Sequence, residues 1–319
     1  MPLVSVIMPS YNHERFIPEA IESVLGQTCS DIELIVVDDA SSDGSRRIIE
    51  AYKSKDARIR TILHDSNMGI ARTLNDGMKE ATGEFISFIA SDDVWALGKI
   101  ERQLSVLREN NDYVVCSKAQ VIDAQGNLLD QQWDDSAIAR VKTSGDFFED
   151  LLKGNLVIAS SLIVKRSNLG NITFDEGLRY FNDYRFAVDL ARKYNYYFVP
   201  EPLVKYRIHG ANTSKDTIGY AKDTIVISKY FLSTYSHGIS RGTRSNIYRN
   251  MATAHFDLGS RSRMLAYLWH ASRSNPLDPA PLVCLVDLLT RHHRLVRRIL
   301  SWVYHVPRSI MTSLRRETR

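Results

Sequence analysis

Cysteine is scarce in this chain, and its spacing matches no common cysteine site. Three cysteines, Cys29, Cys116 and Cys284, lie far apart among 319 residues. Such spacing argues against a zinc site of the finger type and against a disulfide framework, and it fits a reducing compartment. Apolar runs of about 18 or more residues are also missing, so we predict no transmembrane helix. Because the N-terminus leads directly into a predicted strand, we expect no signal peptide and a cytoplasmic protein.

Glycine-rich phosphate loops are missing as well. No Gly-x-Gly-x-x-Gly or Gly-x-x-x-x-Gly-Lys segment follows a predicted strand, which argues against a dinucleotide-binding or P-loop protein. The first predicted strand instead runs into Pro9-Ser10-Tyr11-Asn12. A nucleotidyltransferase would want a basic, glycine-rich loop at that place, so this class is disfavoured too.

Three apolar runs, each followed by polar residues, stand out near the N-terminus. They cover residues 4–8, 32–37 and 84–90. Each run has the length and composition of a buried strand, and apolar side chains recur at helical spacing in the segments between them. This alternation predicts an α/β fold with a doubly wound, mostly parallel sheet. We also expect a buried strand over residues 156–164.

Two pairs of adjacent aspartates follow these predicted strands. Asp38 and Asp39 come after the second strand, and Asp92 and Asp93 come after the third. Ligands bind at the carboxyl ends of strands in open α/β sheets, and adjacent carboxylates there are costly unless a cation neutralises them. Their oxygens suit Mg²⁺ or Mn²⁺ held together with substrate phosphates. One aspartate could instead cap the helical pattern that begins near Ala96, but the second pair favours a ligand site.

Other side chains expected at the same edge suit a nucleotide. Tyr11 offers a flat face on which a base can stack, a contact worth about 1–3 kcal/mol. Asp39 can accept a hydrogen bond from the imino N–H of a uracil or thymine ring. Arg72, just inside a predicted helix start, can reach a phosphate or a carbonyl of the base. Together these residues favour a metal-bound nucleoside diphosphate conjugate.

Five segments, in their order and spacing, resemble the inverting glycosyltransferases of family 2, which have the GT-A fold. The segments are residues 4–12, 36–45, 67–77, 81–86 and 91–93, and the likeness extends over roughly residues 3–215. The resemblance implies that Tyr11 and Asp39 hold the base, and that Pro9, in the same segment as Tyr11, also belongs to the donor site. It also implies that Asp92 lies at the ribose and that Asp93 ligates the Mn²⁺ or Mg²⁺ ion on the diphosphate.

The resemblance further implies an acidic base before a helix in the second half of the chain. Asp183 occupies that place, although Asn182 stands where the family often has glutamate. Asp183 would deprotonate the acceptor hydroxyl as it attacks the anomeric carbon. Alternatively, Asp183 caps a helix over residues 184–194. Asp189 is the competing base, but it falls in the middle of that helix and is expected to face solvent.

Arg207 and His209 lie in a last segment that also resembles the family. A histidine beside a metal-bound diphosphate can ligate the ion or donate to a phosphate oxygen, and we assign His209 to the metal. Arg207 can neutralise charge on the leaving group, although an arginine on an alternating strand can equally be a surface residue.

The predicted domain division follows the change in pattern along the chain. Residues 1–218 are expected to form a GT-A catalytic domain, with a nucleotide-sugar half at about 1–95 and an acceptor half at about 96–218. Residues 219–319 are expected to be helical, because strand patterns stop there. Trp95 and Trp133 are candidates for the border of the acceptor site, although the favoured interpretation of Trp133 is a packed loop residue.

The end of the chain is strongly basic. After Asp287, Glu317 is the single acidic residue, and apolar side chains including Trp302 interleave with arginines. This pattern predicts peripheral contact with an anionic membrane at its cytoplasmic face, and a homodimer interface is the alternative. No other feature of the sequence is typical of proteins that recognise the bases of DNA or RNA, so no nucleic acid partner is expected. The arginines are Arg291, Arg294, Arg297, Arg298, Arg308, Arg315, Arg316 and Arg319.

The resulting functional prediction is a metal-dependent, inverting glycosyltransferase of the hexosyl or N-acetylhexosaminyl type. Its donor would be a UDP-sugar, or a dTDP-sugar as the alternative, and its acceptor a sugar or lipid-linked sugar. Such an activity belongs in the synthesis of cell-surface polysaccharide or glycolipid. The competing hypothesis is a non-catalytic relative that scaffolds a polysaccharide-assembly complex, which would have no need of Asp39, Asp93, Asp183 and His209.

Overall fold

The structure is a computed structural model that describes residues 1–132, 143–210 and 216–290. These residues form two compact units. The first comprises residues 1–132, 143–151 and 155–210, and the second comprises residues 152–154 and 216–290. Trp133 and the basic residues from Arg291 onward, for which we made predictions, lie outside the described residues.

The described part of the first unit contains one sheet of ten strands. Their order across the sheet is β3-β2-β1-β4-β9-β6-β10-β5, with β7 beside β6 and β8 beside β10. The strands are β1 (Val4–Ser10), β2 (Ile32–Asp38), β3 (Ile59–Leu63), β4 (Phe85–Phe88), β5 (Val94–Trp95), β6 (Val114–Ile122), β7 (Leu128–Gln132), β8 (Ser144–Gly145), β9 (Ile163–Lys165) and β10 (Tyr196–Arg207).

The sheet is mixed but mostly parallel, as predicted. Its four longest ladders, β1 with β2, β1 with β4, β2 with β3 and β6 with β10, are all parallel. Strand β9 runs antiparallel to both β4 and β6 and joins the two parallel parts. In the parallel part around β1, the carboxyl ends of the strands therefore meet at one edge.

Helices follow the strands in the order that the sequence pattern predicts. Helices α1, α2 and α3 connect the first four strands, and α4 follows the short strand β5. In residues 1–132 and 143–210, the helices are α1 (Ile17–Leu25), α2 (Ser45–Lys53), α3 (Ile70–Glu80), α4 (Lys99–Glu109), α5 (Phe148–Lys153), α6 (Arg166–Leu169) and α7 (Asn182–Ala191).

Helix α1 shows how apolar residues at helical spacing form part of the hydrophobic core. Its buried side chains recur every three or four residues and so lie on one helix face. That face joins a core to which β1 and β2 also contribute, and all seven residues of β1 are buried. Burying one such aliphatic side chain stabilises the fold by about 1.5–3 kcal/mol. The buried residues of α1 are Ile17, Ala20, Ile21 and Val24.

The predicted strand over residues 156–164 is wrong over most of its length. Ala159–Ser161 form a 3₁₀ turn, and the strand begins only at Ile163. The N–H and the hydroxyl of Ser161 both donate to the carbonyl of Ile158, each at 2.8 Å. Serine side chains compete in this way with regular secondary structure, and the apolar composition of the segment concealed the effect.

The second unit is helical in its described residues, which confirms the predicted change of pattern. Asp216 and Ser240 cap α8 and α9 by accepting hydrogen bonds from Gly219 and Thr243. The last three helices share a core of Ala252, Met264, Leu268 and Leu288. Among the described residues, no helix is long and apolar enough to cross a membrane. The helices are α8 (Thr217–Thr234), α9 (Arg241–Asp257), α10 (Arg261–Ser274) and α11 (Ala280–Thr290).

Candidate active site

The loops that follow β1 and β2 are tied to each other. The N–H of Asn12 donates to Ser41 Oγ at 2.9 Å, and the N–H of Ser42 donates to Asn12 Oδ1 at 2.8 Å. Asn12 and Ala40 adopt left-handed backbone conformations, with φ of 54° and 61°. Such conformations are uncommon outside glycine and persist where surrounding contacts impose them. The two loops therefore form one edge, from which Tyr11 projects with 47% of its surface exposed.

The aspartates after β2 have different roles. Asp38 is fully buried, accepts hydrogen bonds from the N–H and hydroxyl of Ser41, and pairs with Arg46 at 2.7 Å. Its charge is thus compensated within the fold. Asp39 accepts from the N–H groups of Met68 and Gly69, at 2.7 and 2.9 Å. Because an ionised carboxylate offers about four lone-pair sites, Asp39 retains capacity for the N–H of a base.

The backbone conformation at position 69 favours glycine. Gly69 has a φ of +85°, a value that other residues adopt at a cost, and this turn directs its N–H at Asp39. The carboxylate of Asp39 thereby holds the start of α3 in place.

Arg72 is brought into the same neighbourhood through two intermediate side chains. Its Nε donates to Asp76 at 2.8 Å, and His64 lies between Asp76, at 3.5 Å, and Asp39, at 2.9 Å. Arg72 is 40% exposed and also lies 3.8 Å from Glu176. Exposed ion pairs are weak, so the guanidinium can exchange a partner for a phosphate or a base carbonyl. Pro9 is buried within β1, opposite Val37, and contributes through its position in the sheet.

Asp92 lies with two histidines. His209 Nε2 is 2.9 Å from Asp92 Oδ2, and both residues are largely buried. One ligand atom from each of His13, Asp92 and His209 lies within 4.8 Å of the others. The Nδ1 atom of His13 is 2.8 Å from Ser91 Oγ, which fixes the ring and leaves Nε2 for a ligand. Two imidazoles and a carboxylate are suitable ligands for a divalent cation.

Asp93 is held differently from its neighbour. The Ser160 hydroxyl donates to Asp93 Oδ2 at 2.5 Å, and the backbone N–H of Arg207 donates to Oδ1 at 3.0 Å. Burial and the adjacent charge of Asp92 raise the pKa of Asp93. The structure thus groups Asp92, and not Asp93, with His209, which differs from the expectation that Asp93 is the protein's main metal ligand. The physical reason is that the Ser160 hydroxyl and the Arg207 N–H hold the carboxylate of Asp93 inside the fold, where Asp93 is 2% exposed, whereas Asp92 Oδ2 lies beside His209.

A buried polar network lies behind Asp93. The indole N–H of Trp95 donates to the Ser160 carbonyl at 2.8 Å, and the Gln103 amide donates to the Ser161 carbonyl at 2.7 Å. Lys99 donates to Gln103 at 2.8 Å and stands 3.8 Å from the centre of the Trp95 ring. Burial lowers the pKa of Lys99 well below its ordinary value. Trp95, 3% exposed, therefore supports the turn that carries Ser160 and is not the acceptor-facing residue that we expected.

Arg207 is a buried structural residue. Its Nε donates to the Asp92 carbonyl at 2.8 Å, its Nη1 donates to the Asp123 carbonyl at 3.2 Å, and its Nη2 pairs with Glu19 at 2.5 Å. The guanidinium also lies 5.2 Å from the centre of the Phe16 ring. With its donors committed in this way, Arg207 fixes the loop that carries Asp92 instead of facing a leaving group.

Asp183 lies in the first turn of α7. The helix begins at Asn182 with Phe181 at its N-cap, so the alternative of Asp183 as the N-cap is wrong. The Tyr184 N–H donates to Asp183 Oδ1 at 2.6 Å. Against this hydrogen bond, burial raises the pKa of Asp183 to about 6. A carboxylate with a pKa near neutrality suits a general base, because it is ionised yet still basic at physiological pH.

Helix α7 is fixed against the strand that leads to Asp92. Phe186 of α7 packs edge-on against Phe88 at the end of β4, with ring centres 5.6 Å apart, and stacks on Phe174 at 4.2 Å. The competing acid Asp189 lies 3.5 Å from Arg185, a half-buried neighbour one turn away. The contacts of α7 therefore hold Asp183 on a rigid element, and Asp189 is engaged in an ion pair.

A comparison with protein families decides the classification. The model of glycosyl transferase family 2 matches residues 5–172, more than half of the chain. The chain belongs to glycosyl transferase family 2. It is therefore a glycosyltransferase, and it resembles an uncharacterized glycosyltransferase of Rickettsia typhi, 32% identical over 72% of this chain and 72% of that protein. A putative teichuronic acid biosynthesis glycosyltransferase, TuaG of Bacillus subtilis, is 30% identical over 70% of this chain and 86% of that protein.

Solved structures confirm the GT-A fold of the transferase. Staphylococcus aureus TarS, residues 1–349 in complex with UDP-GlcNAc, superposes with a TM-score of 0.59 at 19% identity, covering 91% of this chain and 81% of that one. The mannosyltransferase PcManGT of Pyrobaculum calidifontis, in complex with GDP-Man and Mn²⁺, gives a TM-score of 0.58 at 18% identity, covering 94% and 83%. At these identities the likeness shows the fold alone.

Sequence reasoning missed two residues of the candidate site. His13 follows Tyr11 and Asn12 in the loop after β1, and a single histidine in a loop carries little information by itself. Its position two residues after Tyr11, on the predicted ligand edge, was the available signal. Ser160 was missed because its segment was predicted to be a strand.

If Asp183 is the base, its pKa predicts how the transfer rate depends on pH. A general base works only when ionised, so the rate should be constant above about pH 6 and fall about tenfold per pH unit below it. The measurement is the pH profile of kcat between pH 5 and 8, with the profile of Asp183→Asn as the control. A wild-type rate that stays level down to pH 5, or a variant that keeps the same acidic limb, would contradict the assignment.

Proposed function

We propose that the transferase moves a sugar, with inversion at the anomeric carbon, from a metal-bound UDP-sugar to an acceptor hydroxyl. The observation that carries the proposal is the group of His13, Asp92 and His209 on the sheet edge that also bears Tyr11 and Asp39. A cation-binding group beside a base-stacking ring suits a nucleoside diphosphate. The complexes of TarS with UDP-GlcNAc and of PcManGT with GDP-Man and Mn²⁺ support this reading of the fold.

In this proposal, different residues bind the base and the diphosphate of the donor. Tyr11 stacks on the base, and Asp39 accepts an imino N–H, which uracil and thymine supply and which cytosine and adenine lack. Arg72 reaches a phosphate or a base carbonyl once it leaves Asp76. The same edge then places the diphosphate near Asp92 and His209. Asp93 and Arg207 hold the loop of Asp92 in position.

The residues present fit a divalent cation, because imidazole and carboxylate are both common ligands of such ions. His13, Asp92 and His209 would hold it. When bound, the ion neutralises the negative charge that develops on the leaving diphosphate. The protein's own contribution is to fix the ligands: Ser91 orients His13, and Arg207 donates to the Asp92 carbonyl.

Asp183 supplies the base for transfer. Its carboxylate takes the proton of the acceptor hydroxyl while the hydroxyl oxygen attacks the anomeric carbon. The bond between that carbon and the diphosphate breaks on the opposite face, so the configuration inverts. Phe186 locks the helix that presents Asp183, which keeps the base at a fixed place relative to β4.

A nucleotide-sugar screen tests this function directly. Purified protein is incubated with UDP-, dTDP- and GDP-sugars and Mn²⁺, and release of free nucleoside diphosphate is measured. We expect release from UDP-sugars, with dTDP-sugars as weaker donors. Release from GDP-sugars alone would refute the proposed UDP-sugar donor, and a transfer product with retained anomeric configuration would refute inversion.

Replacing Tyr11 tests the stacking contact. Tyr11→Ala should weaken UDP binding about 5- to 150-fold, because a stacked base is worth about 1–3 kcal/mol. The fold should be unaffected, since the side chain is exposed. Calorimetry with UDP is the measurement, and Tyr11→Phe is the matched control that keeps the ring. Equal affinity in all three proteins would move the nucleoside site elsewhere.

We further propose that the acceptor is a sugar or lipid-linked sugar of a cell-surface polysaccharide and that the basic residues 291–319 contact an anionic membrane. The name of TuaG, a putative teichuronic acid biosynthesis enzyme, supports a polysaccharide pathway. The charge and interleaved apolar residues of the segment support the membrane contact.

Removing residues 291–319 tests the membrane contact. Truncation after residue 290 keeps α11, whose Leu288 is 2% exposed in the core of the second unit. Binding to anionic vesicles should fall most at low salt, where basic contacts are least screened. The assay is co-sedimentation of full-length and truncated protein with anionic and neutral vesicles. Equal sedimentation with anionic vesicles would refute the contact and leave the dimer interface as the explanation of the segment.

A further inference from the structure

Helix α10 of the second unit has apolar side chains on two different faces. Met264 and Leu268 are buried in the core that α10 shares with α9 and α11. Leu265 and Trp269, one helical turn apart, lie on another face, where they are 51% and 63% exposed. The core of the second unit therefore accounts for the first apolar face of α10 but not for the second.

The exposed apolar face has an arginine at each end. Arg261, Leu265, Trp269 and Arg273 follow one another at intervals of four residues, and side chains at this spacing are neighbours along a helix surface. We call these four side chains the exposed row. Arg263 lies beside the row, and α10 itself contains no acidic residue. The exposed row thus combines a tryptophan and a leucine with positive charge alone.

The stability of the helix does not explain this composition. The first turn of a helix favours acidic side chains, because its unpaired N–H groups carry partial positive charge. Arg261 and Arg263 lie in the first turn of α10, where an arginine is locally unfavourable. Residues that go against a local preference are expected where a protein has a function to perform. The same holds for a tryptophan that is left largely in water.

We propose that the exposed row of α10 binds the surface of an anionic membrane. Trp269 and Leu265 enter the headgroup region, where tryptophan is favoured, and the arginines pair with lipid phosphates. The contact deepens the membrane association proposed above for residues 291–319, but it rests on different residues and is tested separately.

Charge distinguishes a membrane from the other surfaces that could cover the exposed row. A second copy of the chain, docked through the same face, would bring the arginines of both copies to one interface, because a two-fold contact uses the same patch twice. Residues 291–319 carry eight arginines and would be repelled as well. An anionic lipid surface instead attracts each arginine near it, which strengthens binding about fivefold per residue.

The core of the second unit links α10 to the basic segment. Leu288 of α11 shares that core with Met264 and Leu268 of α10, and residue 291 follows only three positions later. A membrane contact of residues 291–319 would therefore hold α10 near the same lipid surface. Two linked contacts bind more tightly than either does alone, because the second forms within one complex.

Binding of the full-length protein to vesicles tests the apolar part of the exposed row. The vesicles consist of phosphatidylcholine with or without phosphatidylglycerol, at low salt. Leu265→Ser and Trp269→Ser should each weaken binding to the anionic vesicles about tenfold, because each removes apolar surface that leaves water. Leu128→Ser, at a similarly exposed leucine of β7, is the matched control and should bind like wild type. Melting curves verify that each variant is folded.

A matched pair of charge variants tests the arginines. Arg261→Gln combined with Arg273→Gln should weaken binding to anionic vesicles about 25-fold at low salt, and less at high salt, where charges are screened. Arg47→Gln combined with Arg108→Gln removes two exposed arginines of the first unit. Because both double variants lower the net charge equally, a similar loss in the two would mean that net charge, and not the exposed row, drives binding.

The fluorescence of Trp269 reports the contact directly. The chain has four tryptophans, and full-length protein with Trp133→Phe and Trp302→Phe retains only Trp269 and the buried Trp95. Lipids with brominated tails should quench the emission of this protein on anionic vesicles. The quenching should disappear when Trp269→Phe is added, and it should be weak on neutral vesicles.

Unchanged vesicle binding in folded Leu265→Ser and Trp269→Ser, or emission of Trp269 that brominated lipids do not quench, would overturn the inference. A wild-type dimer that Trp269→Ser dissociates, with vesicle binding unchanged, would assign the exposed row to a second copy instead. Binding that is lost without residues 291–319 but is insensitive to the α10 variants would leave the proposed contact of those residues standing and remove this one. The vesicle assays use no nucleotide-sugar, so failure of the proposed donor chemistry would leave their result intact.

Discussion

Asp183→Asn is expected to lower the rate of sugar transfer about 10²–10⁴-fold, the usual contribution of general-base catalysis. The substitution keeps the size of the side chain and an oxygen that can accept the hydrogen bond from the Tyr184 N–H. It removes the basic carboxylate, whose pKa burial raises to about 6. Binding of UDP and Mn²⁺ should stay unchanged, because neither ligand is proposed to touch this residue.

Single-turnover transfer assays, together with calorimetry for UDP, separate loss of the base from loss of the fold. The matched control is Asp189→Asn, on the same helix and in an ion pair with Arg185. That control should keep most of its transfer rate. If Asp183→Asn transfers sugar at nearly the wild-type rate, or if Asp189→Asn loses as much, the base has been assigned to the wrong residue.

The sheet and its first helices could be predicted because the residue patterns that indicate them lie within single strands and helices. The burial of β1 and the apolar face of α1 follow from the spacing of residues within each element. The short strands β5 and β8 have only two residues each and hence no periodicity to detect. The 3₁₀ turn at Ala159–Ser161 was missed because serine hydrogen bonds, and not apolar spacing, decide its conformation.

The candidate site was predicted less completely, because its geometry depends on contacts between distant residues. Arg207 fixes the loop of Asp92 and Asp93 by donating hydrogen bonds to both residues, which lie 115 and 114 positions before it in the sequence. Before folding, an arginine at the end of a strand can be a ligand, a surface residue or a buried support. Only the surrounding acceptors, the carbonyls of Asp92 and Asp123 and the carboxylate of Glu19, decide between these roles.

The two members of an aspartate pair show the same limit. Sequence motifs place Asp92 and Asp93 after a strand, where the structure also has them, but they do not tell which carboxylate would face a ligand. The structure directs Asp93 to Ser160 and the Arg207 N–H, and it directs Asp92 to His209. The resemblance to the family implies Asp93 as the metal ligand, whereas the geometry favours Asp92. The two assignments make opposite predictions.

Asp92→Asn is therefore expected to lose metal binding and turnover together. A catalytic ion contributes several kcal/mol of transition-state stabilisation, and about 1.4 kcal/mol corresponds to a tenfold change in rate, so turnover should fall about 10²–10³-fold. Two measurements check this. Loss of the electron paramagnetic resonance signal of free Mn²⁺ reports metal binding, and release of nucleoside diphosphate reports turnover. Asp92→Asn should weaken Mn²⁺ binding more than Asp93→Asn does.

Ser160→Ala gives this comparison its matched control. It removes the hydroxyl that donates to Asp93 at 2.5 Å while leaving the group of His13, Asp92 and His209 intact. If Asp93 only positions the loop, Ser160→Ala and Asp93→Asn should both retain Mn²⁺ binding and lower turnover moderately. Greater loss of Mn²⁺ affinity in Asp93→Asn than in Asp92→Asn would show that Asp93 turns toward the ion when the donor binds. In that case the hydrogen bonds from Ser160 and Arg207 would belong to the donor-free state, and the family's assignment would hold for this chain.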